Sequence, residues 1–405
     1  MSKVITEGQI IDELLERGVE KIYPSKEALK KRLMTGQPLK LYCGYDPSAS
    51  SLHIGNAISI NKMGQFQKLG HQVLFLIGDF TGMIGDPTDK QAVRKKLTRK
   101  EVRTNSKDYK KQASHFLKFS GKNSAKVLYN SKWNDKLTFK ELIELSSHFT
   151  VQQMLQRDMF QERLKNEKPI YLHEFLYPLT QGYDSVTMGV DLEIGGNDQM
   201  FNMMCGRDLQ KIINNKEKFV MTLKLLEDDD GNKMGKSEGN AVFLNEKNTE
   251  MFGKIMSWPD GVIINAFELC TQVDFMEVKE MKKSLEEDKT NPRDLKMKLA
   301  YEIVKIFHGT KLADEAQNYF ISTFQKKETP EEILEVSLAK GVKKIVDLLV
   351  DIKLAVSKGE ARRLIEQGGI KINEEVVKDV NLEIEIKDDL IIQRGKRQFI
   401  KLKAK

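Results

Sequence analysis

The 405-residue chain has little cysteine, with three residues, only two tryptophans, and no apolar run long enough to span a bilayer. Cys43, Cys205 and Cys270 stand far apart with no CxxC pair, so neither a disulfide framework nor a thiolate zinc site is indicated. The N-terminal stretch MSKVITEGQIIDELLERG lacks the apolar region of a signal peptide, and no internal repeat is visible. These absences point to a protein that makes no membrane contact and stays in a reducing cytoplasm. What is present is 40% hydrophobic and 31% charged, the composition of a soluble globular protein. The length exceeds what one core supports, which predicts two or three domains. A net charge of +7 permits a polyanionic partner without requiring one.

The chain is organised around LYCGYDPSASSLHIGN, Leu41 to Asn56. A short apolar run breaks at Gly44, passes an Asp-Pro-Ser loop and restarts with helical spacing at Ile54, Ala57 and Ile58, which reads as strand, loop and helix. Asp46, Ser48, His53 and Asn56 then sit at the strand end and helix mouth, where unpaired N–H groups and the helix dipole suit an anion. An ordinary βα loop with a capping histidine fits the same residues. HQVLFLIGDF follows as a second strand and closes on TGMIGDP, which puts Asp86 in a tight loop. Strand, helix and strand with a Gly-rich exit predict a parallel α/β sheet whose ligands collect at the carboxyl ends of its strands, so Asp86 shares a crevice with His53.

Residues 90 to 111 carry ten Lys/Arg against Glu101 and Asp108, with Lys90 and Arg94 nearest the Asp86 loop. A solvated helical face explains such a run as readily as nucleic-acid contact. KVLYNSKW reads as another strand, ending at Asn130 and Trp133. Large apolar groups at helical spacing follow to Leu155 and fit a core or a dimer interface. FLYPLTQGYDSV sets Tyr177, Gln181 and Asp184 on one helical face, a polar stripe that needs partners if buried. VDLEIGGNDQMFN then places Asn197, Asp198 and Gln199 at a helix start behind Gly195-Gly196. LLEDDDGNKMGKSEGN carries Lys233, Lys236 and Ser237 among glycines, a pattern that a plain surface loop also produces. Helices are predicted over 248–330, one beginning near Pro292 and stopping at Gly309. A connector follows, then a compact unit over 341–405 with Arg362 and Arg363 on a helix and 15 Lys/Arg against 11 acids.

In this order, YCGYDPSASSLHIGN, IGDFTGMIGDP, YNSKW, LYPLTQGYDSV, EIGGNDQ and KMGKS closely resemble bacterial-type tyrosyl-tRNA synthetases over essentially the whole chain. HIGN is similar to the HIGH signature and KMGKS to the KMSKS loop of class I aminoacyl-tRNA synthetases. The resemblance implies an α/β, Rossmann-like parallel-sheet catalytic domain over 1–247, an α-helical anticodon-recognition domain over 248–330 and a linker over 331–340. A small α+β RNA-binding domain over 341–405 completes it. It implies ATP with Mg2+, L-tyrosine and tRNA(Tyr) as partners, and a homodimer formed through the apolar helices around residues 130 to 165. Catalytic positions implied are Ser48, His53, Asn56, Lys90, Arg94, Lys233, Lys236 and Ser237. ATP is held by Asp46, Gly55, Gly196, Asp198 and Lys236.

By the same match Tyr42 and Asp184 meet the phenolic hydroxyl, Asp86, Tyr177 and Gln181 hold the ammonium, and Asn130 and Gln199 line the pocket. Such a pocket rejects phenylalanine by leaving buried partners unpaired, a behaviour for which this family is itself the standard example. Three residues depart from the pattern: Asn56 for the second His of HIGH, Gly235 for the middle Ser of KMSKS, and Glu193 where many relatives have Gln. Other readings are a tryptophanyl or other class I synthetase, and an RNA-binding module derived from one.

Overall fold

Short runs rich in aliphatic and aromatic residues, separated by helical patterns, assemble a six-stranded sheet. The structure is a computed structural model that describes residues 4–88, 96–228, 231, 234, 241–325, 334–373, 375–395 and 398–404. The strands are β1 (Val19–Tyr23), β2 (Lys40–Tyr45), β3 (Gln72–Ile77), β4 (Lys126–Tyr129), β5 (Leu192–Gly196) and β6 (Phe219–Leu223). Their order is β1-β6-β5-β2-β3-β4; β1 pairs antiparallel with β6, and every other pair is parallel. Helices cover the parallel strands, so β3 is buried at every position after Gln72 and reads as a continuous apolar run. The chain moves outward from β2 through β3 to β4 on one side, and from β5 to β6 on the other. Between β2 and β5 the order reverses, and the crevice above their carboxyl ends is the place such sheets bind ligands.

Helices Asn248–Met256, Ile263–Cys270, Phe275–Glu286 and Pro292–His308 belong to the same compact unit as the sheet, which runs to Ala316. Pro292 opens the last of these behind an Asn291 cap, and Gly309 at φ +82° ends it, as the sequence predicts. The unit is fastened by a buried arginine. Arg17, at the end of helix Gly8–Glu16, donates to the carbonyls of Phe267, Glu268, Thr271 and Val273 at 2.7–3.2 Å. The helical segment therefore packs as an extension of the sheet unit.

The second unit begins at Gln317. Its main sheet holds β7 (Leu334–Leu338), β9 (Ile370–Ile372), β10 (Glu375–Val376), β12 (Leu390–Arg394) and β13 (Gln398–Ala404) in the order β10-β9-β12-β13-β7. β8 (Val342–Lys344) and β11 (Glu383–Glu385) form a separate ribbon. Helices Ile345–Asp351 and Lys358–Glu366 bury Ile345, Leu348, Leu349, Ala361 and Ile365 against this sheet. The expectation of a plain linker over 331–340 is corrected here. Residues 334–338 alternate apolar and polar, Val336 and Leu338 pack on the core, and the segment pairs parallel with β13 as an edge strand.

Helix Ile54–Lys68 carries a lysine that titrates unusually. Lys62 is 4% exposed and its Nζ donates to the carbonyls of Leu14 and Arg17 at 2.9 and 2.7 Å. Burial, reinforced by the nearby Arg17 cation, pulls its pKa from 10.5 down to about 7. The unfolded chain thus binds more protons than the folded one between about 7 and 10.5, so stability through Lys62 rises with pH across that window and is flat below it. Wild-type protein should gain up to about 1.4 kcal/mol per pH unit over Lys62→Met between about pH 7.5 and 9.5 in denaturant titrations. Parallel stability curves for the two proteins would contradict this.

Candidate active site

β2 buries Leu41, Tyr42, Cys43 and Tyr45 and delivers Asp46 just beyond the sheet. One carboxylate oxygen accepts from Thr81 Oγ1 at 2.6 Å and the other from Tyr177 Oη at 2.9 Å. Thr81 follows β3, and Tyr177 lies on helix Leu172–Met188, so one side chain joins three segments. Gly78 makes the approach possible: a Cβ there would fall 1.9 Å from Asp46 Oδ1 and 2.4 Å from Thr81 Oγ1. Ser48 turns back on the same residue, its N–H donating to the Asp46 carbonyl at 2.8 Å.

The stripe on helix Leu172–Met188 faces the sheet. Asp184 is 2% exposed and accepts from Trp133 Nε1 at 2.7 Å, Asn134 Nδ2 at 3.0 Å and Asn130 Nδ2 at 3.1 Å. Burial pushes its carboxyl up to about 8 even though these three donors favour the anion. Asn130 is fully buried, and its Oδ1 accepts from the Phe80 N–H at 2.8 Å while its amide also reaches Thr81 at 3.0 Å. Gln181 donates to Glu193 at 3.1 Å. Tyr42, on β2 and paired in register with Glu193 of β5, shares a 2.8 Å hydrogen bond with Ser185. Burial raises the pKa of Tyr42 well above 10, as it does for Tyr177.

Asp86 follows the short helix Thr81–Ile84 that comes after β3, and its carboxylate accepts from the Thr88 N–H at 2.9 Å and from Gln199 Nε2 at 2.8 Å. Gln199 ends the turn Asn197–Gln199, which also carries Asp198 and follows Gly196 at the end of β5. Arg157 lies 3.9 Å from Asp86, buried between the rings of Phe160 and Phe201. His53 caps helix Ile54–Lys68: its Nδ1 accepts from the Gly55 N–H at 3.1 Å, which leaves the proton of the neutral ring on Nε2. Asn56 completes a capping box by accepting from the His53 N–H at 3.1 Å, so the amide that replaces the second His of HIGH fixes the helix mouth. Residues 242–244 lie alongside this mouth, with Ile54 N–H donating to Val242 O and Leu244 N–H to Leu52 O, both at 2.9 Å. Phe243 itself pairs with His53 in an isolated antiparallel bridge.

Tyr42, Asp46, Ser48, His53, Asp86, Asn130, Tyr177, Gln181, Asp184, Gly196, Asp198 and Gln199 thus stand at or around the carboxyl ends of β2, β3, β4 and β5. Lys90, Arg94, Lys233, Lys236 and Ser237 lie outside the described residues. The sequence pattern misses Thr81, Thr88, Asn134, Arg157 and Ser185, which touch this cluster, and Lys218, which stands behind Ser185. Ser185 directly follows Asp184 in the sequence, whereas Lys218 stands in an ordinary KEKF run with no signal. Gly78→Ala should unhook Asp46 from Thr81 at a cost of about 1–3 kcal/mol. Unchanged melting in calorimetry would contradict the packing described here.

Comparison with known proteins identifies the family. The family model for class I tRNA synthetases (W and Y) matches residues 34–325, and that for the SYY-like C-terminal domain of tyrosine–tRNA ligase matches 325–402. The tyrosine–tRNA ligase of Moorella thermoacetica is 42% identical over 96% of this chain and 94% of its own. Tyrosine–tRNA ligase 2 of Clostridium acetobutylicum is 43% identical over 96% and 97%. A C-terminally truncated mitochondrial tyrosyl-tRNA synthetase of Coccidioides posadasii superposes with a TM-score of 0.61 at 26% identity, covering 76% of this chain and 91% of that one. The chain belongs to the tyrosine–tRNA ligases, within the class I tRNA synthetases.

Proposed function

We propose that the chain activates tyrosine with ATP, releasing pyrophosphate, and then transfers tyrosine from the adenylate to the 3′ end of tRNA(Tyr). The observation that carries this reading is the convergence of Tyr42, Asp46 and the Tyr177, Gln181, Asp184 stripe at the β2/β5 switch point. In activation the tyrosine carboxylate attacks the α-phosphorus of ATP; a C–O–P bond forms and the bond to the pyrophosphate oxygen breaks. Charge grows on phosphate oxygens, so positioned donors suffice and no nucleophilic side chain is needed. His53 Nε2–H and Ser48 serve as donors at the helix mouth. Lys90 and Arg94 take the pyrophosphate side, and Lys233, Lys236 and Ser237 donate to phosphate oxygens. Gly55, Gly196 and Asp198 receive adenine and ribose, and Asp46 orders the loop beside them.

Tyr42 and Asp184 meet the phenolic hydroxyl, and Asp86, Tyr177 and Gln181 surround the ammonium, with Asn130 and Gln199 lining the pocket. Mg2+ enters bound to ATP as part of the substrate; among the described residues no cluster of three His, Cys, Asp or Glu would hold a metal. Residues 1–247 form the catalytic part, the helices after 248 read the anticodon, and the C-terminal unit binds tRNA. Phe139 at 78% exposure, Ile143 at 55% and Val151 at 62% support a homodimer through this face. Among the described residues no helix is long and apolar enough to cross a membrane, and we place the protein in the cytoplasm.

His53→Ala should slow adenylate formation about 100-fold while leaving tyrosine affinity nearly unchanged, because its contact tightens in the transition state. Pre-steady-state rates and equilibrium binding separate the two, and lost affinity at full turnover would refute the role. Replacing both exposed arginines, Arg362→Glu and Arg363→Glu, should weaken tyrosine attachment to tRNA(Tyr) and flatten its salt dependence while sparing adenylation. Charging and salt dependence equal to those of the wild type would remove the C-terminal unit from tRNA binding.

A further inference from the structure

One face of the parallel sheet is not covered to its end. Across the strands Tyr42 is in register with Leu74 and Leu74 with Lys126, and Leu128 follows two residues on, so the four share a face. Helix Leu172–Met188 lies over Tyr42 and stops at Met188, where Gly189 takes a left-handed cap. Parallel strands are ordinarily buried on both faces. Here the cover stops short, and a cavity of about 450 Å³ opens against Lys40, Gln72 and Lys126, the first residues of β2, β3 and β4. It lies at the opposite edge of the sheet from Asp46, roughly 20 Å away at about 3.3 Å per strand residue.

The frame of this cavity is held by buried polar groups. Loops 36–39, 69–71 and 118–125 surround it. Gln67, 7% exposed, donates to the carbonyls of Lys118 and Asn123 at 2.7 and 2.8 Å and accepts from the Lys118 N–H at 2.8 Å. Asn123 donates to the carbonyls of Gln67 and His71, and His71 accepts from the Leu39 N–H at 3.2 Å. The three loops are thus bound to one another and the hollow is preformed. Its floor is Leu74, Leu128 and Met188; its rim carries Lys40, Lys122 and Lys126, and no carboxylate lines it. Lys40 is engaged by the helix end, where its Nζ donates to the Met188 carbonyl at 3.0 Å. Lys122 and Lys126 are exposed, and no lining acid neutralises them.

We propose that this cavity is a second binding site, separate from the crevice at the carboxyl ends of the strands, for a small aromatic anion. The ring rests on Leu74, Leu128 and Met188, and a carboxylate or other oxyanion meets Lys122 and Lys126. Burial of the ring supplies the attraction and the lysines select the charged end. Methionine sulfur favours an aromatic body over an alkyl chain. A nucleic-acid backbone would use the lysines and gain nothing from the apolar floor.

Calorimetric titration of the full-length chain with anilinonaphthalene sulfonate, an aromatic sulfonate, tests this with tyrosine and ATP present at saturation. One site per chain is expected. Lys122→Glu combined with Lys126→Glu should weaken binding about tenfold. Ser124→Trp, which places a ring in the cavity and keeps both lysines, should abolish it. Tyrosine-dependent pyrophosphate exchange should stay within about twofold of wild type in both variants, because the cavity is remote from the reaction. Inorganic phosphate and uncharged phenylnaphthylamine should each bind about tenfold or more weakly than the sulfonate. If Ser124→Trp does not fold, the exposed lysine pair decides alone. No binding by the wild type, binding unchanged in the variants, or phosphate bound as tightly as the sulfonate overturns the inference. So does loss of tRNA(Tyr) binding in the lysine variant with sulfonate binding intact, which would mark an RNA surface instead.

Discussion

The hydrogen bonds to Asp46 hold the site together. Its two carboxylate oxygens bind Thr81 after β3 and Tyr177 on helix Leu172–Met188, while its backbone continues from β2. Parallel strands bring their carboxyl ends to one edge of a sheet, but that alone leaves the following loops free to diverge. A short side chain with two acceptors draws the loops and the helix together. The cost is a backbone position at 78 that tolerates no side chain.

From that junction the polar groups spread inward in two directions. One reaches Asp184, where three side-chain N–H donors surround a carboxylate that burial has pushed up to about 8. The other reaches Ser185, Glu193 and Lys218 behind Tyr42. An apolar core of the same volume would be the easier structure to stabilise. A buried polar set in which each carboxylate and hydroxyl is hydrogen-bonded instead constrains where the protons point.

Much of this is legible in the residues. The break at Gly44 falls within one residue of the end of β2, whereas β3 stops at Ile77, well before the Gly-Asp-Pro loop; the helical spacing of Tyr177, Gln181 and Asp184 puts them on one face before any contact is known. The role of Asn56 is half legible: its place in the HIGN run marks the helix mouth, yet only the capping box shows that its oxygen binds the His53 N–H. Lys218 is illegible because its partner lies 25 residues away on another strand and nothing in KEKF distinguishes a buried lysine from a solvated one. Residues 334–338 are short enough to read as connector, and their strand character depends on β13, 60 or more residues downstream.

One family model spans the class I synthetases for tryptophan and tyrosine, so the function turns on which side chain the pocket admits. The most direct measurement is ATP/pyrophosphate exchange by the purified full-length chain, supplied with each amino acid in turn. Exchange that depends on tyrosine and is negligible with tryptophan or phenylalanine is the predicted result. Faster exchange with tryptophan, or none with tyrosine, would contradict the assignment of Tyr42 and Asp184 and the function built on them.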